Sequence, residues 1–256
     1  MKLLITLLIT LLSSNIYACE CALQSTMQKT ESSDFVGRVK IKKIERDLIN
    51  QEYLNLTVEV LDIFKGDFNN DLKILTNNSM CNIYTPKGTE WLIYATIDKN
   101  NNLSFGYCSG SIQIDRNFDS DKYPNAEKNY KNSIKRKLGL LQFLDENEII
   151  TKSNPSISSI LSSDCLDSIK GFKGKLAEFA IYEVTIDKNF SVENIAPIKK
   201  FSNSKLSSQV DNCIKNITFR IRNERENLKE KTKKIIPIFY YEKEKDNPSF
   251  ISSWDL

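Results

Sequence analysis

The sequence predicts a mainly β chain completed by an α+β unit: a five-stranded OB-type barrel with a packing helix, followed by a small α+β domain. Three observations predict it. Residues 34–110 hold five short segments of strand character separated by turn signals, a spacing that suits a small closed barrel. Residues 129–144 place Ile134, Leu138, Leu141 and Leu144 at spacings of four, three and three, which is one face of an amphipathic helix. Residues 175–241 then read as hairpin, helix and strand, the order of a small α+β unit.

The elements follow in chain order. The polar segment Ala22 to Ser33 has room for a short helix. Asp34 to Ile41 reads as a strand, and Gly37 inside it predicts a bulge or strong curvature. Leu54, Leu56, Val58 and Val60 alternate along one face of the next strand, which runs on to Phe64 and stops at the turn signal Lys65-Gly66-Asp67. Asp71 to Thr76 is a short strand. Glu90 to Ile97 is nearly all apolar, as a central strand should be. Asp98 to Asn102 turns the chain, and Leu103 to Cys108 returns it. The helix at 129–144 is expected to pack on the barrel. Thr151 to Ser163 is serine-rich with Asn154-Pro155, a linker signature. Beyond it, 175–186 and 192–197 form a hairpin around Asp187-Lys188-Asn189. Residues 204–217 form a helix carrying Leu206, Val210, Cys213 and Ile217. Residues 234–241 form a last strand in which Pro237 argues for an edge or a bulge.

Residues 1–18 read as a signal peptide: Lys2, an apolar run from Leu3 to Leu12, then small or polar residues ending Ile16-Tyr17-Ala18. The run is too short to span a membrane, so no transmembrane anchor is expected after its removal. The organisation is then a signal peptide at 1–18, a barrel domain at 19–145, a linker at 146–164, an α+β domain at 165–245 and a tail at 246–256. Cleavage after Ala18 would leave Cys19 first, in a Cys19-Glu20-Cys21 segment. Two readings of Cys19 follow. It is either acylated, which makes the chain a lipoprotein anchored there, or it joins a disulfide framework. The chain has six cysteines, and an even count in an exported chain favours the framework, of which fifteen connectivities are possible.

Composition excludes several functions. There is no histidine, which removes Ser-His-Asp and Cys-His catalysis, histidine-ligated metals and a histidine pH switch. Zinc sites use wider cysteine spacings than Cys-x-Cys. No P-loop or Gly-x-Gly-x-x-Gly pattern is present, so no cofactor is expected. A net charge of +3 is too small to argue for a nucleic-acid partner. The only support for an enzyme is Asp115, Asp119 and Asp121, which fall in a polar loop and are expected to be solvated. The chain is therefore expected not to be an enzyme, and to be secreted, periplasmic or on the cell surface.

A constellation of motifs carries a family resemblance. Cys19-x-Cys21, Asp34-Phe35-Val36-Gly37, Phe64-Lys65-Gly66, Ser79-Met80-Cys81, Gly88-x-Glu90-Trp91-Leu92-Ile93-Tyr94-Ala95 and Leu103 to Cys108 occur in the order seen in netrin-type (NTR) modules and the tissue inhibitors of metalloproteinases. Residues 19–145 resemble these proteins. The resemblance implies a TIMP-like OB-fold with Cys19 joined to Cys81 and Cys21 joined to Cys108. Cys165 and Cys213 then remain, the latter on the apolar face of its helix, and are expected to pair. In the inhibitors the N-terminal cysteine chelates the protease zinc through its α-amine and carbonyl. By position that residue is Cys19. Glu20 would face the specificity pocket and Ser79 and Met80 would complete the contact ridge. Glu20 is a carboxylate where those inhibitors carry a smaller uncharged residue, and their C-terminal disulfide-rich subdomain has no counterpart here. Residues 165–245 are more weakly similar to the TonB C-terminal domain, through 180–189, Val192 to Ile195 and Ile235 to Phe239. The expected function is a non-enzymatic binding protein that inhibits a metalloendopeptidase. The alternative is an envelope-associated structural or protein-interaction module without inhibitory activity.

Overall fold

The computed structural model describes residues 19–68, 71–76, 81–149, 157–221, 228, 230–245 and 247–254. The signal-peptide reading of 1–18 lies outside them, as do Ser79 and Met80 and part of the linker stretch.

Among the described residues the first helix is α1 (Thr26–Ser32). Strands β1 (Phe35–Arg46), β2 (Tyr53–Lys65), β3 (Leu72–Leu75), β4 (Glu90–Ile97) and β5 (Leu103–Phe105) then close a barrel in the order β1-β2-β3-β5-β4-β1. All neighbours are antiparallel except β3 and β5. This is a closed five-stranded barrel of OB type. Two-residue strand β6 (Ile112–Gln113) adds to β4.

Period-two alternation explains the barrel. Trp91, Ile93 and Ala95 of β4 point into the core with Phe35, Val39, Ile41, Leu72, Ile74 and Phe105. Leu92 and Tyr94, one residue out of step, point outward with Val36. β4 is thus buried on both faces, which is why its sequence is continuously apolar. Gly37 behaves as expected. The β1–β2 register shifts between Val36 and Gly37, and a Cβ there would lie 2.8 Å from the Asp62 carbonyl oxygen.

Helix α2 (Ala126–Glu146) is longer than its sequence stripe, and it faces two layers. Leu141 and Leu138 pack on the outward side chains of β1 and β4. Leu140 and Leu144 pack instead with Met27 of α1 and with Phe179, Ile181, Ile235, Phe239 and Tyr241. Those residues belong to a four-stranded antiparallel sheet, β12-β11-β8-β9, formed by β8 (Phe179–Ile186), β9 (Val192–Lys199), β11 (Thr232–Tyr241) and β12 (Phe250–Ser252). The other face of this sheet, with Ala180, Tyr182, Val184, Ile236 and Ile238, packs on Leu206, Val210 and Ile214 of α4 (Ser204–Ile214). The hairpin–helix–strand order predicted for this part is present. Pro237 lies on the stretch of β11 not covered by β12, which pairs only with Phe239 to Tyr241.

Several elements differ from the sequence reading. The return strand ends at Phe105, and Tyr107–Ser109 forms a 3-10 turn instead. Within the stretch read as a linker, β7 (Ile157–Ile160) pairs with β10 (Thr218–Ile221), and the short helix α3 (Ser163–Ser168) begins. Within the stretch read as a tail, β12 joins the sheet. The predicted helix to Ile217 stops at Ile214, and Ile217 is buried just beyond it.

Candidate functional site

Cys19, Glu20 and Cys21 precede α1 as irregular chain and are fixed at both ends. Cys19 bonds to Cys81 and Cys21 to Cys108, with Cα–Cα separations of 5.5 and 5.3 Å. The bonds reach across the barrel end to two places, the segment that enters β4 and the 3-10 turn after β5. Cys165 of α3 bonds to Cys213 of α4. These are the pairs implied or expected from sequence. In the chain-entropy model the first two loops, of 62 and 87 residues, contribute about 4 to 5 kcal/mol each. Three disulfides are compatible with an extracellular or periplasmic location.

The other end of the segment is held by α1. Ser25 is its N-cap, with a reciprocal capping box: Gln28 N–H donates to Ser25 Oγ and Ser25 N–H donates to Gln28 Oε1. Gln28 also donates to Ser158 Oγ of β7 at 3.1 Å. The helix buries Thr26 and Met27. At its C-terminus Lys65 Nζ donates to the carbonyls of Thr30 (2.7 Å) and Glu31 (3.3 Å), which satisfies carbonyls that the helix leaves open. Burial lowers the Lys65 pKa, opposed by Asp34 and Glu31. The Glu31 carboxylate pairs with Lys234 of β11 at 2.6 Å, and both side chains are almost fully buried.

The motifs that seemed scattered in sequence meet here. Val36 pairs with Lys65 across β1 and β2. Gly66 has φ +73°, and a Cβ there would lie 2.0 Å from the Asp34 carbonyl oxygen. Asp34 in turn accepts a 2.7 Å hydrogen bond from Ile97 N–H at the end of β4. The Asp34–Gly37 and Phe64–Gly66 motifs are two sides of one close backbone approach that supports the end of α1.

Glu20 is exposed and its neighbours Cys19 and Cys21 are half-buried. Ser79 and Met80 precede the disulfide-bonded Cys81 but fall outside the described residues, so only Cys19 and Glu20 of the predicted ridge are placed. Two exposed apolar side chains, Leu23 (88%) and Tyr84 (83%), flank the tied segments and were not picked out by sequence reasoning. Their signal was adjacency to Cys21 and Cys81. A cleft of about 390 Å³ lies beside Cys81 and Cys108, walled by Gln24, Ser33, Thr96, Phe105 and Tyr107.

Asp115, Asp119 and Asp121 are exposed. Asp115 accepts from the Gln113 amide at 2.9 Å, and Asp119 accepts from the backbone N–H of Asp121 and Lys122. Asp119 thus stabilises its own turn. Among the described residues no three His, Cys, Asp or Glu side chains form a metal-holding group, and no helix is long and apolar enough to cross a membrane.

No family model matches the chain, and no curated protein matches it. The class that the geometry defines is an OB-type barrel whose N-terminal segment is tied down by two disulfides.

Proposed function

We propose that this chain is a secreted, non-enzymatic binding protein of the netrin type, and that its N-terminal ridge inhibits a zinc metalloprotease. The observation that carries this reading is the double disulfide tether of Cys19-Glu20-Cys21, which holds the segment against the barrel with Glu20 facing solvent. A ridge held in one conformation loses little entropy when a partner binds it. Once Cys19 is the first residue it carries an α-amine, a group that ordinarily titrates at about 7.7–8.0, so a neutral lone pair is accessible at little cost near neutral pH. That amine and the Cys19 carbonyl form a two-donor chelate for a catalytic zinc, which keeps a coordination position open. Glu20 then enters the protease's specificity pocket, where its carboxylate loses hydration; the family resemblance adds Ser79 and Met80, which fall outside the described residues, to the contact ridge. The weaker sequence resemblance of residues 165–245 to the TonB C-terminal domain favours a periplasmic or surface site of action.

A titration of the purified mature protein against a panel of zinc endopeptidases tests this. Inhibition is expected with the free amine. It is expected to vanish on acetylation of that amine while circular dichroism stays unchanged. Glu20→Thr is expected to strengthen inhibition by removing the buried carboxylate. No inhibition at micromolar concentration by protein with a confirmed Cys19 amine would overturn the inhibitor reading in favour of the non-inhibitory interaction module.

A further inference from the structure

A second cleft lies far from the ridge in sequence, between α2 and the edge of the four-stranded sheet. It has a volume of about 450 Å³, within the range of small-molecule sites. One wall comes from α2, where Asn129, Asn132 and Arg136 follow at helical spacing. The facing wall carries Tyr241 of β11 and Phe250 of β12, with ring centroids 4.6 Å apart and planes at 4°, beside the charged Lys170, Glu242 and Glu244.

Arg136 is the anomaly in this cleft. It is 5% exposed, yet among the described residues it makes no ion pair and its buried Nε has no hydrogen-bond partner. Among the described residues its charge-related contact is the Tyr241 ring, 4.1 Å from the guanidinium carbon. A guanidinium stays charged at any working pH. A cation–π contact offsets only part of the hydration that it loses. The charged neighbours do not supply the difference. Glu242 accepts from Ala177 N–H at 2.9 Å, Glu244 lies 3.9 Å from Lys128, and Lys170 pairs with Asp167 at 2.6 Å. The α2 wall therefore presents one uncompensated buried cation and two side-chain amides to a cavity with an aromatic far wall.

We propose that this cleft binds a small organic acid, with a carboxylate head held by Arg136 and an apolar body against Phe250. Carboxylate geometry matches the guanidinium fork, and the Asn129 and Asn132 amides add donors on the same face. The site is independent of the N-terminal ridge and of the inhibitor reading.

The probes are 3-phenylpropionate and its neutral counterpart 3-phenylpropan-1-ol, titrated by calorimetry and protein-observed NMR into the full mature chain with its disulfides intact. The acid is expected to saturate, to shift resonances of Asn129, Asn132 and Phe250, and to bind about tenfold or more tighter than the alcohol, the scale of one hydrogen-bonded charge. Arg136→Met keeps the stem over Tyr241 and is expected to erase the difference between acid and alcohol. Asn132→Leu leaves the buried charge untouched, serves if Arg136→Met does not fold, and is expected to weaken the acid selectively. Equal binding of acid and alcohol, no saturable binding of the acid at millimolar concentration, or unchanged acid binding in both variants overturns the proposal.

Discussion

The ion pair between Glu31 and Lys234 joins α1 to β11 of the C-terminal sheet, and breaking it should be felt in global stability. The two side chains are 0% and 4% exposed and 2.6 Å apart. Two charges removed from water lose several kcal/mol of hydration each, and their attraction returns this only while both are present. Lys234→Met alone leaves a buried carboxylate, and Glu31→Leu alone leaves a buried ammonium. Each single variant is expected to lose about 3 to 5 kcal/mol. The double variant removes both charges of the pair, leaves Asp34 as the counter-charge of Lys65, and is expected to recover most of that loss. Urea unfolding at pH 7, followed by fluorescence, measures all four corners of the cycle. The alkaline side supplies a second readout. Burial lowers the Lys234 pKa, with Glu31 opposing. Between that lowered value and the unfolded value of about 10.4, the unfolded chain holds more protons, so stability rises with pH in this window. Lys234→Met is expected to lose the Lys234 share of that rise, while Lys65 and Lys199, whose pKa values burial also lowers, keep theirs. If the double variant were destabilised by the sum of the two singles, the pair would not be coupled and the argument from desolvation would fail.

Three further outcomes are expected. Gly66→Ala should cost at least about 2 kcal/mol, since left-handed strain adds to a backbone clash. Gly88→Ala is its control: the φ there is +88° but nothing lies within 4 Å, and the cost should be the backbone strain alone, seen as a smaller drop in thermal midpoint. The Asp47 carboxyl is held at about 2 by a hydrogen bond from Lys73 and by the N–H groups of Asn50 and Ile49. A depressed carboxylate stabilises fully above the unfolded value of about 3.9 and loses this as pH falls towards 2, so Asp47→Asn should flatten acid unfolding across that interval. N-terminal sequencing, intact mass and non-reducing peptide mapping should find a free amine on Cys19 and the pairs Cys19–Cys81, Cys21–Cys108 and Cys165–Cys213. A diacylglycerol on Cys19 would remove both the first pair and the inhibitor reading.

Elements that carry their own periodicity were legible. β2 shows alternation, β4 shows a doubly buried run, and α4 shows a single apolar stripe because it packs on one sheet face. α2 was half legible. Its stripe through Ile134, Leu138, Leu141 and Leu144 predicts one buried face, whereas Leu140 is also fully buried because the sheet covers the adjoining flank that carries Leu140 and Leu144. Arg136 and Leu140 are spaced by four, and that second stripe was masked by the charge at its head. The strands missed were β6, β7, β10 and β12, each of two to four residues. Segments this short take strand geometry from a partner, and Thr218–Ile221 has none nearer in sequence than Ile157–Ile160. The pairings of Cys19 and of Cys21 were legible only through the family resemblance, since the cysteine pattern by itself leaves fifteen connectivities open. The Glu31–Lys234 contact was not, because 203 residues separate its partners and neither stands out in its local sequence.

The supports of α1 bear on how the ridge is held. Met27 contributes to the cluster that also holds Leu140, Phe179 and Phe239, so the helix is packed against α2 and the C-terminal sheet together. Lys65 binds its last carbonyls from the barrel side, and Lys234 binds Glu31 from the sheet side. The two disulfides fix the segment before the helix, while these contacts fix the helix itself. Removing either set alone leaves the other anchor in place. The C-terminal sheet therefore has a structural role at the N-terminus that needs no partner contact of its own: through Met27 and Lys234 it restricts the motion of α1, and through α1 the motion of Cys19-Glu20-Cys21. Any affinity of the ridge that depends on its rigidity should then respond to substitutions at Lys234, on a strand more than two hundred residues away in sequence.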